Sequence, residues 1–124
     1  MKPDETKIAS LQSALSQFSG SEQLFENPLF KGYVYTEGVK YLAEEAGAYW
    51  LIDHVFVNQM LDVLKNQPFQ VWNISVEDNA SATIVVEDGD KNKLTFFTMG
   101  YTDFPLKEFS LWLVDGTLLL PREY

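Results

Sequence analysis

The chain reads as an α+β fold: two N-terminal helical segments packed on one face of a five-stranded antiparallel meander sheet. Three observations predict it. Apolar residues recur every three or four positions in the first half, they alternate with polar ones from Phe69 onward, and the later segments are joined by short turn-like connections.

Thr6 is placed to cap a first helix carrying Ile8, Leu11, Leu15 and Phe18 on one narrow stripe, with Ser19-Gly20 as its stop. Ser21 to Tyr35 contains Asn27-Pro28 and Gly32 among aromatic residues, and reads as an ordered loop pinned by Leu24, Phe25, Leu29 and Phe30. Thr36 is the expected cap of a second helix whose apolar positions run from Val39, Leu42, Ala43, Ala46, Tyr49 and Trp50 through Val55, Phe56, Val57, Met60, Leu61 and Leu64. That pattern extends the helix to Lys65 or Asn66, just before Pro68. Gly47 lies inside it, at a cost of ~1 kcal/mol against alanine, and implies a kink or a close backbone approach.

Trp72, Ile74 and Val76 alternate with Asn73, Ser75 and Glu77 in the first strand. Ala82 to Glu87, Leu94 to Met99, Phe109 to Val114 and Thr117 to Leu120 follow as four more. Asp115-Gly116 between the last two is a strong signal for a two-residue hairpin. Connections this short favour antiparallel neighbours, since a parallel crossover needs about a dozen residues. The helical face carrying Leu42, Ala46, Trp50 and Phe56 is expected against Trp72, Ile74 and Val76. Residues 1–124 are read as one domain.

Composition narrows the functional classes. Nine Lys and Arg against eighteen Asp and Glu give a formal charge of -9, which repels phosphate backbones and anionic lipid heads, so direct nucleic-acid and membrane binding are disfavoured. Without cysteine the chain has no disulfide, thiolate nucleophile or zinc-thiolate site. MKPDETKIAS lacks the apolar core of a signal peptide and no apolar run approaches the ~20 residues of a membrane span, so the expected location is the cytoplasm.

Asp53 and His54 interrupt a strongly apolar helical run, where burial would shift their ionisation. Neighbouring helix positions diverge by about 100 degrees, so each needs a partner from elsewhere. The structural expectation is that Asp53 accepts bonds from backbone amides of the long loop, and that His54 sits at a helix edge with one nitrogen satisfied, sharing its surface with Asn58. Glu44 pairs most simply with Lys40 one turn earlier. The turn EDGDKNK lacks the ligand spacing of a calcium loop, and no phosphate-cradling loop, dinucleotide fingerprint, nucleophile elbow or zinc-binding histidine pair is present. No cofactor or metal is expected.

Tyrosines suit surfaces where one end is buried and the other meets a partner. Tyr41 and Tyr49, eight residues apart in the second helical segment, are candidates for a shared exposed edge. Self-association of so acidic a chain must bury apolar area, and Leu119 in the C-terminal hairpin is a candidate for an unpaired strand edge. Tyr41, Tyr49, Asp53, His54, Tyr101, Asp103 and Leu119 are therefore the candidate partner-binding residues. The expected function is a noncatalytic protein-interaction domain, binding a protein partner or itself. The alternative is a small enzyme using Asp53 with a residue of the Tyr101 to Asp103 loop.

The segments YTEGVKYLAEEAGAYWLID (Tyr35 to Asp53), YTDFPL (Tyr101 to Leu106) and LLLPREY (Leu118 to Tyr124) resemble those of a small bacterial family of unknown function, found in bacterial, plasmid and phage genomes. The resemblance covers nearly the whole chain in order and spacing. It implies an intracellular bacterial or phage context and an accessory role, such as inhibiting or adapting a host protein, and no reaction. In that family the position after Asp53 is not necessarily histidine.

Overall fold

A computed structural model describes residues 5–19 and 23–124. Its helices are α1 (Glu5–Leu15), α2 (Glu37–Ala46) and α3 (Tyr49–Val57), the last followed by a 3-10 turn at Asn58–Met60. Its strands are β1 (Leu24–Glu26), β2 (Val34–Thr36), β3 (Phe69–Val76), β4 (Ala82–Asp88), β5 (Lys93–Met99), β6 (Glu108–Val114) and β7 (Thr117–Leu119), in one sheet ordered β1-β2-β7-β6-β3-β4-β5.

The α+β class holds, and the five expected strands are β3 to β7. Two features of the expected sheet do not. The segment Ser21 to Tyr35 is no plain loop: β1 and β2 form an antiparallel pair within it, and β2 runs parallel to β7. The sheet is also mixed and is not a meander. β6 returns beside β3 instead of β5, giving the Greek-key order β6-β3-β4-β5. The link between β5 and β6 makes this possible, because Thr102, Phe104 and Leu106 point into the core while Tyr101 and Asp103 remain exposed. That anchored segment carries the chain past β4 and β3. The bond from Thr102 N to Ala80 O at 2.8 Å fixes its start.

The helical segments break where local bonds allow it. Thr36 caps α2 as expected, its hydroxyl accepting from Val39 N. Gly47 then adopts a left-handed conformation with φ 62° and ends α2, so the implied kink is a full break, with open space where a Cβ would project. Tyr41 and Tyr49 consequently lie on different helices. α3 stops at Val57 rather than Lys65 because side chains take its last carbonyls: Asn58 Nδ2 donates to His54 O at 2.8 Å and Gln59 Nε2 to Val55 O at 3.1 Å. α1 ends at Leu15, with Thr6 inside it, and the expected Gly20 stop lies outside the described residues.

The core gathers residues of all three helices, among them Leu11, Leu42 and Phe56, against the inward face of the sheet, where Trp72, Ile74, Ile84 and Leu111 are buried. Trp50 and Ala46 are half-buried and Trp50 meets the Phe104 ring edge-on, so its cover comes from the β5–β6 link as well as from the sheet. Leu24 and Leu29 are exposed, and the pinning of the early loop falls to Phe25 on Tyr35 and Phe30 on Phe56.

Two sets of polar contacts hold distant segments together. Glu123 accepts from Thr36 Oγ1 at 2.7 Å, Gly38 N at 3.2 Å and Leu120 N at 2.9 Å, so a C-terminal carboxylate sits at the N-terminus of α2, where the helix dipole favours it. A Cβ on Gly38 would lie 2.6 Å from that carboxylate. The other set is buried: Gln59 and Gln70 exchange amide bonds of 2.9 and 2.8 Å, and Gln70 also accepts from Trp72 Nε1 at 3.0 Å.

Candidate functional site

Helix α3 separates two environments. On one flank, Asp53 is exposed rather than buried, and accepts from the Asn27 side-chain amide at 3.2 Å, not from the backbone amides of the loop. The elbow at Gly47 brings Tyr49 back onto α2, where its hydroxyl donates to Glu44 Oε1 at 3.2 Å, and Glu44 also meets Lys40 at 3.7 Å as expected. Burial first, then the charges of Asp53 and Glu44, raise the pKa of the Tyr35 phenol; burial and Glu44 raise that of Tyr49. Both phenols thus stay protonated at neutral pH beside two carboxylates.

On the other flank, the His54 ring stands edge-on to Phe97, with centroids 4.7 Å apart, and to Trp72 at 5.9 Å. Nδ1 lies 3.2 Å from Asn58 Nδ2, the expected neighbour. Nε2 is buried without a hydrogen-bond partner among the described residues, and desolvation lowers the pKa of the ring. The imidazole is therefore neutral at physiological pH and acts as part of an aromatic stack. Trp72 and Phe97 lie parallel beneath it at 5.8 Å.

Phe97 belongs to β5, one of the two terminal strands of the sheet, with no described strand on its outer side. On the opposite face of that strand Phe96 is 54% exposed, with the Lys93 ammonium 4.4 Å from its ring centre. Beyond His54 the chain leaves α3 through Val57, Met60, Leu61 and Val63, all exposed and Met60 81% so, although the sequence pattern places the first three on a buried helix. Exposed apolar groups therefore cluster at and just after the end of α3, and Tyr101, also exposed, follows β5 in the chain.

The remaining expected residues fall elsewhere. Tyr41 is half-buried against Phe18, with ring centres 5.6 Å apart, beside a groove lined by Ala9, Ser13 and Ala14 of α1. Leu119 is only 7% exposed, and its hairpin is no edge: β7 lies between β6 and β2, which pairs Tyr35 with Leu118. The candidacy of Leu119 rested on a free edge that the early β1–β2 pair covers. Among the described residues no hydrogen bond or ion pair joins Asp53 to Tyr101 or Asp103, and no group of three His, Asp or Glu is placed to hold a metal ion. No described helix is long and apolar enough to cross a membrane.

The three segments that carry the family resemblance interlock. Thr36 and Gly38 of the first bind Glu123 of the last, and Trp50 of the first meets Phe104 of the middle one. A family model, that of a family of unknown function (DUF6876), matches residues 9–124. The chain belongs to this family. No curated protein and no solved structure matches the chain.

Gln59 and Gln70 escaped the sequence reading. Gln70 shares its parity with Trp72 and Ile74, so the alternation itself placed an amide on the inward face. That is the signal by which a buried polar network is found in such a strand.

Proposed function

We propose that the chain is a noncatalytic protein-interaction domain of bacterial or mobile-element origin, acting in the cytoplasm as an inhibitor or adaptor of a host protein. The observation that carries this reading is the group of exposed apolar residues Val57, Met60, Leu61 and Val63 within seven positions at and just after the end of α3, together with the exposed Phe96 on the terminal strand β5. Exposed apolar groups clustered in one short stretch favour docking of another protein surface, since scattered single ones would need no explanation. His54 contributes as a neutral ring packed on Phe97 of β5, and Tyr101 as an exposed anchor.

The enzyme reading draws less from the surroundings of Asp53, which is exposed and engaged with Asn27. The charge of -9 extends the interaction reading toward partners with basic surfaces, whose approach it would accelerate. The test is capture from the native cell with the unmodified chain and with Met60→Glu, followed by reconstitution from purified components. A stoichiometric protein that rebinds the unmodified chain and loses at least tenfold in affinity for Met60→Glu is the expected result. A bound metabolite that the chain turns over, with no protein partner, overturns it.

A further inference from the structure

We propose that β5 is a self-pairing strand, through which two copies of this chain join antiparallel across a two-fold axis into one continuous sheet. The proposal rests on the interaction reading above and names a second copy as an occupant of the β5 edge.

The chemistry of the edge defines the class of occupant. A strand with no neighbour presents a row of backbone N–H and C=O groups on its outer side, and only another extended backbone satisfies them in series. β5 is the longer of the two terminal strands, seven residues against three in β1.

Charge then favours a second copy. Across a chain with eighteen carboxylates, the stretch from Leu94 to Thr102 carries no charge, and Lys93 is the only charged residue of β5. Two chains of -9 repel wherever their acidic surfaces meet, and this margin lets backbones touch without apposing carboxylates. A basic peptide would find no acid on the strand itself to pair with.

Register follows from the exposed side chains. The ladder to β4 is irregular between Val86 and Glu87, so the regular part of β5 lies from Thr95 onward. Pairing centred on Phe96 sets Phe96 opposite its own copy on the open face, Thr95 opposite Phe97 and Lys93 opposite Met99. The most exposed apolar group of the strand is thereby covered, and no like charges oppose each other. On the other face of the strand the His54 ring of α3 stands against Phe97, so the helical layer also reaches this junction.

The absence of cysteine makes the register testable. Directly opposed residues in an antiparallel pair have Cα atoms roughly 4.5 to 5.5 Å apart, within disulfide range, so Phe96→Cys should crosslink under mild oxidation. Thr98→Cys, which would face Leu94, should not. Sedimentation should show a dimer that tightens as salt screens the mutual repulsion and that Phe96→Lys weakens at least tenfold, with circular dichroism confirming the fold of each variant. A monomer at millimolar concentration in high salt overturns the proposal, as does a dimer indifferent to Phe96→Lys or equal crosslinking at both cysteines. Partner capture by the unmodified chain is scored separately: if it persists in a strict monomer, self-pairing fails and the interaction reading stands.

Discussion

Asp53 and His54 are consecutive residues of α3 with opposite surroundings. Asp53 faces water and a polar corner built from Asn27, Tyr35, Glu44 and Tyr49, while His54 leans into Trp72 and Phe97 with one buried nitrogen that has no hydrogen-bond partner among the described residues. The difference teaches that a charged residue within an apolar run is not thereby buried. One step along a helix is about 100 degrees, enough to carry a side chain from core to solvent. The same step separates the polar flank, whose groups are satisfied locally, from the aromatic flank that adjoins a free sheet edge.

The largest expected effect comes from removing the support on the aromatic flank. Gln70→Leu leaves the Gln59 amide and the Trp72 indole N–H without their partner in the core, and should lower stability by about 3 kcal/mol or more in urea unfolding. Trp72 should lose its fixed position, and with it the His54 stack. An effect under about 1 kcal/mol would show that the network adjusts without it and that the flank is less rigid than its packing suggests.

A smaller effect concerns pH. Because the folded pKa of His54 lies below the ordinary value of 6.5, the unfolded chain takes up the proton first. Stability is therefore independent of this group above pH about 6.5, and falls as pH drops from there toward the folded pKa. His54→Phe keeps an aromatic ring against Phe97 and should flatten that part of the profile in thermal unfolding between pH 7 and 5, with Asp53→Asn as the variant that leaves it in place. An unchanged slope in His54→Phe would assign the acid limb to other groups and dissolve the contrast between the two flanks.

The smallest effect is expected at Asp53 itself. Asp53→Asn removes an exposed charge while keeping an amide oxygen that can accept from Asn27, and should cost about 1 kcal/mol or less. It should also bring the Tyr35 phenol partly back toward its ordinary pKa, since one of the charges that raises it is gone while burial, the larger cause, remains. Spectrophotometric titration of the tyrosines checks this. A large loss of stability would instead mean that Asp53 braces the early loop against α3.

Much of the fold was legible because it depends on local periodicity. Thr36 as a cap, the strands from Phe69 to Leu119 and the Asp115-Gly116 turn, where both residues have positive φ, follow from spacing and turn chemistry alone. The break after Gly47 was half legible: glycine signalled it, but the apolar pattern ran on regardless. The exposure of Met60, Leu61 and Val63 was not legible at all, since side-chain bonds from Asn58 and Gln59 end the helix before them.

The sequence by itself determined the α+β class, the positions of most strands and the acidic, cysteine-free character of the chain, because these rest on residues close together or on simple sums. Only the tertiary structure decided which strands are neighbours. Pairing β6 with β3, and covering β7 with β2, depends on bonds between residues tens of positions apart, and strand alternation is the same whichever neighbour a strand has. The edges moved with that choice, from the C-terminal hairpin to β1 and β5, and the candidate site moved to the longer of them. An edge is a property of strand order, which no local pattern encodes.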